Sequence, residues 1–381
     1  MKIVHVVESL AGGIVTFIKS LVENLPDDSH IIIHGERKQV MTFSEVKKQF
    51  IFPNVKFFRW KSAQRSLRFK EDINATIELY NILKRLKNNN SLDIVHLHSS
   101  KGGFIGRIVC RMLGIQHLVV YTPNGAPFLG NASKVSNYMY KRLEKLASSF
   151  GGQVVCCSHS EQKAYETAGI DVLMINNGTA SKKDIGFQKK QKNKKVFRIV
   201  TSGRIVDQKN PSMFNKIASY FEEFKQFEFL WIGDGTERQM LTSKNIQITG
   251  WLDKDDVNEL VLNADMYLST ATFEGLPFSV LEALSLKKPV LLSECVGNKD
   301  LVMKGLNGGV FKNEHEAINK VLRFYNNSSM LSVMGEYSGN HCKTSFDLFD
   351  TYKSYKKLYL KASFFHKEAI TPINKLAYGT R

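Results

Sequence analysis

Two glutamates eight positions apart, Glu274 and Glu282, enclose the segment Gly-Leu-Pro-Phe-Ser-Val-Leu. Residues 264–273, just before them, are mostly apolar, aromatic or β-branched, as a buried strand requires, and residues 278–286 have the apolar spacing of a helix. Pro277 suits the start of that helix because proline has no amide hydrogen to lose there. The pattern therefore predicts Glu274 in a turn and Glu282 inside a helix.

This strand–turn–helix unit has the chemistry to hold a phosphorylated sugar. The amides of Phe278, Ser279 and Val280 would point out of the helix N-terminus, where partial positive charge favours a phosphate. An ionised carboxylate only accepts hydrogen bonds, so Glu282 suits ribose hydroxyls and Glu274 suits hydroxyls of a sugar beyond the phosphates. The alternative is a surface glutamate and an ordinary helical one, and the pair alone leaves both interpretations open.

A second loop carries two cations. Residues 200–211 leave a predicted strand through Gly203 and place Arg204 and Lys209 before a helix that begins at Pro211. Ligands of open α/β sheets bind outside the carboxyl ends of the strands, so these cations suit a diphosphate. Taken singly, each is equally well explained as an exposed basic loop residue.

Glycines follow two further predicted strands. Gly12 and Gly13 open a helix, and Gly233 begins the turn Gly-Asp-Gly, where missing side chains permit a close approach to a ligand. The dinucleotide fingerprint needs three spaced glycines and an acid about 20 residues later. Glu36 falls late and only two glycines are present, which makes nicotinamide binding the minority interpretation.

Polar residues end two more predicted strands. His96 and His98 alternate along one of them and so share a face; we expect His98, nearer the strand end, to face a cleft, and His96 to be satisfied by nearby backbone. Asn124 lies in a turn that we expect to open toward the same side. Asp253 and Asp255 are spaced like a metal-binding pair, but their place before a helical run favours an N-cap.

Length and composition limit the possible classes of protein. The 381 residues exceed one ordinary core, which predicts two domains. No apolar run approaches the roughly 20 residues that span a bilayer, and the N-terminus lacks the pattern of a secretory signal, so a cytoplasmic location is expected. Five cysteines without zinc-like spacing predict neither a disulfide nor a metal site. The formal net charge of +17 indicates attraction to nucleic acid, anionic lipid or diphosphates.

Strand-like and helix-like segments alternate in both halves of the chain. This rhythm is typical of parallel sheets covered by helices and predicts two doubly wound α/β units. The predicted strands are residues 3–8, 30–34, 93–98, 118–121 and 153–157 in the first half, and 197–202, 227–232, 246–248, 266–270 and 289–293 in the second.

With these motifs in place, the chain resembles the retaining glycosyltransferases of family 4, which use nucleotide-activated sugars. The resemblance extends over nearly the whole length. It implies the GT-B fold, an α/β architecture in which two Rossmann-like domains face each other across a cleft. The motifs that carry it are Glu274-x7-Glu282, the loop from Gly203 through Arg204 to Lys209, Ile-Gly-Asp-Gly235, and Gly12-Gly13.

The resemblance also implies roles for these residues. Arg204 and Lys209 would bind the donor diphosphate, Glu282 the ribose, Glu274 the transferred sugar, and Gly13 the phosphates from the opposite domain. Glu274, Arg204 and Lys209 form the expected catalytic set, and no metal or cofactor is expected. The other expected substrate-binding residues are Gly12, His98, Asn124, Gly203, Gly233, Gly275, Leu276, Phe278 and Ser279.

Relatives that build bacterial surface polysaccharides often carry a histidine at the position of Asn124, and that histidine contacts the donor sugar. We therefore expect a nucleotide-sugar donor, with UDP as its nucleotide, and a lipid-linked saccharide acceptor. No nucleic-acid partner is expected. The basic and aromatic residues of 47–70 suggest contact with the cytoplasmic face of the inner membrane, although many of those aromatics would equally suit a core.

The expected organisation has four parts. They are an acceptor-side domain over 1–180, a cation-rich linker over 181–195, a nucleotide-sugar-binding domain over 196–344, and a helical segment over 345–381 that packs back on the first domain. Two other functions stay open at this point. A nucleotide-sugar epimerase on a similar fold would need no acceptor, and a basic nucleic-acid-binding protein would need a recognition motif that the sequence lacks.

Overall fold

A computed structural model describes residues 1–36, 42–64, 68–130, 133–180 and 196–370. Within these ranges the chain forms two parallel β-sheets, one in each half, with helices on both faces. The predicted linker over 181–195 lies outside the described residues, as do residues 65–67 of the segment for which membrane contact was expected and residues 371–381 of the expected C-terminal helical segment.

The first sheet has the strand order β3-β2-β1-β4-β5-β6-β7 among the described residues, and all neighbours are parallel. Its strands are β1 Lys2–Val7, β2 Ser29–His34, β3 Val55–Arg59, β4 Ile94–His98, β5 Val119–Thr122, β6 Gln153–Cys156 and β7 Val172–Met174. Its helices are α1 Gly13–Asn24, α2 Phe43–Gln49, α3 Phe69–Asn88, α4 Ser100–Met112, α5 Lys134–Ser148 and α6 His159–Thr167.

The second sheet has the order β10-β9-β8-β11-β12-β13 and is also parallel in its described part. Its strands are β8 Phe197–Ser202, β9 Phe227–Ile232, β10 Ile246–Ile248, β11 Met266–Ser269, β12 Val290–Ser293 and β13 Gly308–Phe311. The helices of this half are α7 Pro211–Tyr220, α8 Lys254–Asn263, α9 Phe278–Ser285, α10 Glu314–Asn326, α11 Ser328–Ser345 and α12 Leu348–Ile370.

Strand order reverses direction between β1 and β4 in the first sheet and between β8 and β11 in the second. Each reversal leaves a crevice at the carboxyl ends of the strands, where ligands of such sheets bind. The central strands are buried on both faces, as expected of parallel sheets covered by helices. The predicted α/β class with two doubly wound domains is confirmed.

One smaller prediction, the N-cap at Asp253, is also confirmed. The carboxylate of Asp253 accepts hydrogen bonds from the amides of Asp255 and Asp256, at 3.1 and 3.0 Å, and so caps α8. All five cysteines are described by the structure and all are free thiols.

The last helix returns to the first domain. Tyr352, Tyr355 and Tyr359 of α12 are buried in the same apolar cluster as residues of β1, β2 and α1. Lys356 donates a hydrogen bond to the Asp28 carboxylate at 2.7 Å, and the N-terminal ammonium lies 2.7 Å from the same oxygen. The helix is therefore fixed to the first sheet by apolar burial and by charge.

Two segments that cross between the domains lie side by side. Thr179 and Asp347 form a parallel β-bridge, and the Thr179 amide donates to the carbonyl of Phe346 at 3.0 Å. The Thr351 hydroxyl donates to the carbonyl of Asn176 at 3.0 Å. The outgoing and returning segments of the chain are thus hydrogen-bonded to each other.

Most of the large aromatics of 47–70 pack in the core, whereas Phe69 is 83% exposed, so membrane contact through this segment stays a prediction. Trp60 is fully buried, with its indole nitrogen donating to the carbonyl of Ala75 at 2.9 Å, and Phe50 is buried in the other core layer of the domain. Because β3 pairs with β2 in this segment, its aromatics fill the core on both sides of the sheet. Among the described helices, none is long and apolar enough to cross a bilayer.

Candidate functional site

A cavity of about 400 Å³ lies between the carboxyl ends of the two sheets. It brings together residues that are more than 250 positions apart, from the loops after β1, β5, β8, β9 and β11. All but one of the residues predicted to bind substrate line it. They are Gly12, Gly13, Asn124, Gly203, Arg204, Lys209, Gly233, Glu274, Gly275, Leu276, Phe278, Ser279 and Glu282.

An ion pair joins the two most specific motifs. The Lys209 ammonium lies 2.7 Å from Oε1 of Glu274. The loops that carry them are held together by backbone, because the Thr272 amide donates to the Gln208 carbonyl at 2.9 Å and the Thr270 hydroxyl donates to the Lys209 carbonyl at 2.8 Å. The position of this pair is thus set by the ends of β8 and β11.

The charge state of Lys209 follows from its surroundings. Burial opposes a charged ammonium, but the neighbouring Glu274 carboxylate outweighs that cost and raises the pKa of Lys209 above its ordinary value. The nearby Arg204 acts in the opposite sense and does not reverse the shift. Lys209 is therefore a cation at neutral pH. Its ammonium is paired with the Glu274 carboxylate and could pair with a phosphate instead.

Two helix N-termini from different domains face each other across the cavity. Gly12 caps α1 with a φ of 63°, and a Cβ at that position would lie 3.7 Å from Nε of Arg204. A Cβ on Gly13 would lie 3.4 Å from the ring of Phe278, the first residue of α9. Helix N-termini attract anions, so the two helix starts and the two cations could together hold a diphosphate.

The start of α9 differs from the prediction in one amide. Pro277 is the N-cap residue, and its carbonyl accepts hydrogen bonds from the amides of Val280 and Leu281, both at 3.1 Å. The Val280 amide is thus used within the helix, and the prediction that it faces a phosphate is wrong. The helix itself leaves the amides of Phe278 and Ser279 for a ligand.

Glu282 lies one turn into α9, at the rim of the cavity. Its carboxylate is 3.6 Å from the ammonium of Lys254, which is mostly exposed at the start of α8. Ion pairs with an exposed partner contribute little and are readily exchanged. The carboxylate can therefore accept hydrogen bonds from a diol such as ribose.

A buried carboxylate that the sequence analysis missed holds the Asn124 loop. Glu161 accepts hydrogen bonds from the amides of Gly125 and Cys157, at 2.8 and 2.9 Å. Burial raises the pKa of Glu161, although these amides act against the shift. The only signal in the sequence was Ser158-x-x-Glu161, the pattern of a helix capping box.

The same loop meets the second domain closely. Asn124 has a φ of 55°, a conformation that asparagine tolerates better than most residues. A Cβ on Gly275 would lie 2.8 Å from the Gly125 amide nitrogen and 2.7 Å from Sγ of Cys157. Glycine at position 275 is therefore required by the contact between the domains as well as by the cavity.

A direct polar contact between domains also lies close to the site. The Ser160 amide donates to Asp300 at 2.9 Å, and its hydroxyl accepts from the Gly297 amide at 2.9 Å. The Asn177 side chain donates to the carbonyl of Leu276 at 3.0 Å. None of Ser160, Asp300 and Asn177 was predicted, because their partners lie in the other half of the sequence.

His98 does not line the cavity, and the expectation that it faces the cleft is wrong. It lies in a buried histidine cluster, which we define as His5, His30, His96 and His98. Nε2 of His98 is 3.1 Å from Nδ1 of His5, whose Nε2 is 3.0 Å from Nδ1 of His30. The reason is that β4 presents its histidines to the face covered by α1 and α12.

His96 is satisfied by side chains rather than by nearby backbone. Its Nδ1 is 2.6 Å from the Tyr359 hydroxyl and its Nε2 is 2.8 Å from the Thr122 hydroxyl. Burial lowers the pKa of every imidazole in the histidine cluster, and in His5, His96 and His98 the neighbouring imidazoles lower it further. The cluster is therefore neutral at physiological pH.

Three of these imidazoles are close enough to be considered as metal ligands. Ring nitrogens of His5, His96 and His98 lie within 4.8 Å of one another. However, both nitrogens of His5 and both of His96 already have hydrogen-bond partners, so a metal would have to displace them. Hydrogen-bonded packing accounts for the cluster, and the expectation that the chain needs no metal stays a prediction.

Comparison with known proteins agrees with this geometry. A model described as glycosyltransferase family 4 matches residues 11–181, and one described as glycosyl transferases group 1 matches residues 182–341. The chain is 27% identical over 342 residues to an Escherichia coli UDP-Gal:alpha-D-GlcNAc-diphosphoundecaprenol alpha-1,3-galactosyltransferase, covering 82% of this chain and 85% of that protein.

Two solved structures have the same overall fold. A sucrose-phosphate synthase from Thermosynechococcus elongatus superposes with a TM-score of 0.78 at 13% identity, covering 96% of this chain and 99% of the other. HepE from Anabaena, in complex with UDP and glucose, superposes with a TM-score of 0.74 at 16% identity, covering 94% and 99%. The two halves of the chain thus match the family 4 and group 1 glycosyltransferase models, and the chain is a glycosyltransferase with the GT-B fold.

Proposed function

We propose that this glycosyltransferase transfers a hexose or N-acetylhexosamine from a UDP-sugar to a lipid-diphosphate-linked saccharide, in the biosynthesis of a bacterial surface polysaccharide. The observation that carries the proposal is the ion pair of Lys209 with Glu274 beside Arg204, opposite the glycine start of α1. The name of the Escherichia coli relative and the UDP bound by HepE support the donor and acceptor classes.

The charged residues suit the departure of a nucleoside diphosphate. Negative charge develops on the leaving group as the glycosidic bond breaks, and Arg204, Lys209 and the two helix starts are placed to stabilise that charge. Glu274 is placed to accept hydroxyls of the transferred sugar, and Glu282 those of the ribose. We assign no covalent nucleophile, and propose retention by attack of the acceptor on the face that the diphosphate leaves.

The net charge of the chain supports the proposed acceptor and its location. A formal charge of +17 favours the anionic surface where a lipid diphosphate resides. We propose that the enzyme works at the cytoplasmic face of the membrane, with the acceptor entering from the side of the first domain.

The first experiment measures thermal stability with UDP, GDP, NAD or no ligand. A ligand that binds only the folded state at about 100 times its Kd adds about 2.7 kcal/mol of stability. We expect UDP to stabilise the wild type and to lose most of this effect in Arg204→Ala and Glu282→Gln. Glu314→Gln is the matched control, because its carboxylate forms a comparable ion pair, 4.0 Å from Lys216, outside the cavity.

The same measurement can contradict the proposal. Stabilisation by NAD alone would overturn it, and stabilisation by GDP alone would change the donor class.

A second assay incubates UDP-hexoses with and without a lipid-diphosphate-linked N-acetylhexosamine. Transfer that requires the acceptor and gives a product with the donor's anomeric configuration supports a retaining transferase, whereas sugar interconversion without acceptor indicates an epimerase.

A further inference from the structure

Helix α5 carries a stripe of apolar side chains that face solvent. Five of them are exposed by 40 to 70%. Their spacing of three and four positions places them on one face of the helix. We call this set the α5 stripe: Val135, Tyr138, Met139, Leu143 and Leu146.

The opposite face of α5 is firmly attached to the first domain. Glu144 is buried and accepts a hydrogen bond from Arg107 at 2.9 Å and another from the Tyr121 hydroxyl at 3.1 Å. The Arg107 guanidinium also lies over the ring of Tyr121, 4.3 Å from its centre, and Ala147 is fully buried. These contacts fix the helix so that the α5 stripe points outward.

The charged residues on the outward surface of α5 are all basic. Its basic residues are Lys134, Lys141, Arg142 and Lys145, and its single acid, Glu144, is the one buried with Arg107. The outward surface of the helix is therefore apolar and positively charged, with no carboxylate of its own. This is the composition of a helix that lies in the interface of an anionic bilayer.

A second cavity, of about 410 Å³, lies beside the same helix. Lys141 of α5, Lys163 of α6 and Lys299 of the second domain line it, together with Tyr138 of the α5 stripe. Three ammonium groups next to an outward apolar surface complement the phosphates and acyl region of a lipid. The cavity also lies where the domains meet, since Ser160 and Val296 are among its lining residues.

We propose that α5 is the membrane-docking element of the protein, with the α5 stripe inserted among the lipids of an anionic bilayer and the lysines contacting their phosphates. This inference rests on the proposed function, because it states how that enzyme reaches a lipid-linked acceptor. It replaces residues 47–70 as the contact surface.

Helix α3 offers a matched comparison. Its exposed apolar residues Phe69, Ile73 and Ile77 also recur every four positions. In contrast to α5, the first turn of α3 contains the acids Glu71 and Asp72. An acidic helix end is disfavoured at an anionic surface, so the charges select α5.

The test is co-flotation of the full-length protein with vesicles of phosphatidylcholine alone or with phosphatidylglycerol. We expect binding to the anionic vesicles that weakens with added salt. Tyr138→Ser/Met139→Ser/Leu143→Ser should reduce the binding by about tenfold or more, since insertion scales with buried apolar area. The control Phe69→Ser/Ile73→Ser/Ile77→Ser should bind like the wild type.

The variants are first checked for the thermal stabilisation by UDP that is expected in the wild type. An α5 variant that UDP still stabilises is folded, so any loss of vesicle binding in it is a loss of membrane docking and not of donor binding. If UDP stabilises no form of the protein, the proposed function fails, but vesicle binding still tests the role of α5. Unchanged vesicle binding in the α5 variant would overturn the inference. So would an equal loss in the α3 control, or a wild-type dimer that becomes monomeric in the α5 variant, because the stripe would then be a self-association surface.

Discussion

The two walls of the main cavity differ in the kind of group that they present to a ligand. The wall from the second domain presents charged side chains, Arg204, Lys209, Glu274 and Glu282. The wall from the first domain presents the backbone of Gly12 and Gly13 and the uncharged side chain of Asn124. One wall is therefore sensitive to a change of charge, and the other to the addition of a single carbon atom.

The largest effect is expected on the charged wall. Replacing Lys209 with alanine removes the partner of Glu274 and one cation facing the leaving diphosphate, and loss of one such group typically costs about 10²- to 10³-fold in kcat. The measurement is kcat for transfer at saturating donor. Lys216→Ala, on the same domain but outside the cavity, should retain wild-type turnover; equal losses in both variants would refute a specific role.

The histidine cluster sharpens the contrast, because it is a polar region that must stay uncharged. The pKa of each imidazole is lower in the folded than in the unfolded protein, so the unfolded chain takes up protons first. Stability is thus complete above the unfolded pKa of about 6.5 and falls below it, by about 1.4 kcal/mol per pH unit for each histidine that titrates.

Urea unfolding between pH 8 and 5 measures this dependence. The variant His5→Leu/His98→Leu removes two titrating groups and should show a shallower slope, whatever its absolute stability. A slope equal to that of the wild type would show that other groups cause the loss of stability in acid.

On the glycine wall, the expected effect is smaller and depends on position. Gly12 has a φ of 63° and a ψ of −139°, a conformation adopted almost only by glycine, so Gly12→Ala should cost about 1–3 kcal/mol of stability and weaken UDP binding by moving the start of α1. Gly13 has an ordinary helical conformation, and its added Cβ would only contact the Phe278 ring at 3.4 Å. Gly13→Ala is therefore the matched control. Calorimetric titration should show that UDP binds more tightly to Gly13→Ala than to Gly12→Ala.

The smallest effect on activity is expected from a change of the Asn124 side chain. Asn124→His introduces the residue that the family resemblance leads us to expect there, in a backbone conformation that histidine also tolerates. We expect UDP affinity to stay within about twofold and the ratio of kcat/KM between two UDP-hexoses to change by less than about tenfold, as for single contacts to a substrate. A large loss of UDP affinity would place Asn124 at the nucleotide instead of the sugar.

The charged wall was predictable because each of its motifs is local. Glu274, Pro277 and Glu282 lie in one strand–turn–helix unit, and a loop of a few residues positions Lys209. The strands of both sheets were also largely predicted, except for β3, β7 and β13, which lie at or near the sheet edges and have short or irregular apolar patterns.

The errors arise from contacts between distant parts of the sequence. His98 seemed suited to a cleft, but the face of β4 on which it lies is covered by a helix more than 240 positions later. Glu161 has the pattern of a capping residue, and only the fold brings it to Gly125. The α5 stripe has the spacing of a core helix, and only the assembled domain shows which face points outward.

The paired crossing segments around Thr179 and Asp347 determine how the enzyme can move. Because the chain leaves and re-enters the first domain at two adjacent, hydrogen-bonded points, these points define one axis. Sliding of one domain along the other would break these hydrogen bonds, whereas a rotation about the axis would keep them. A rotation that widened the cavity would work against the hydrogen bond between Ser160 and Asp300.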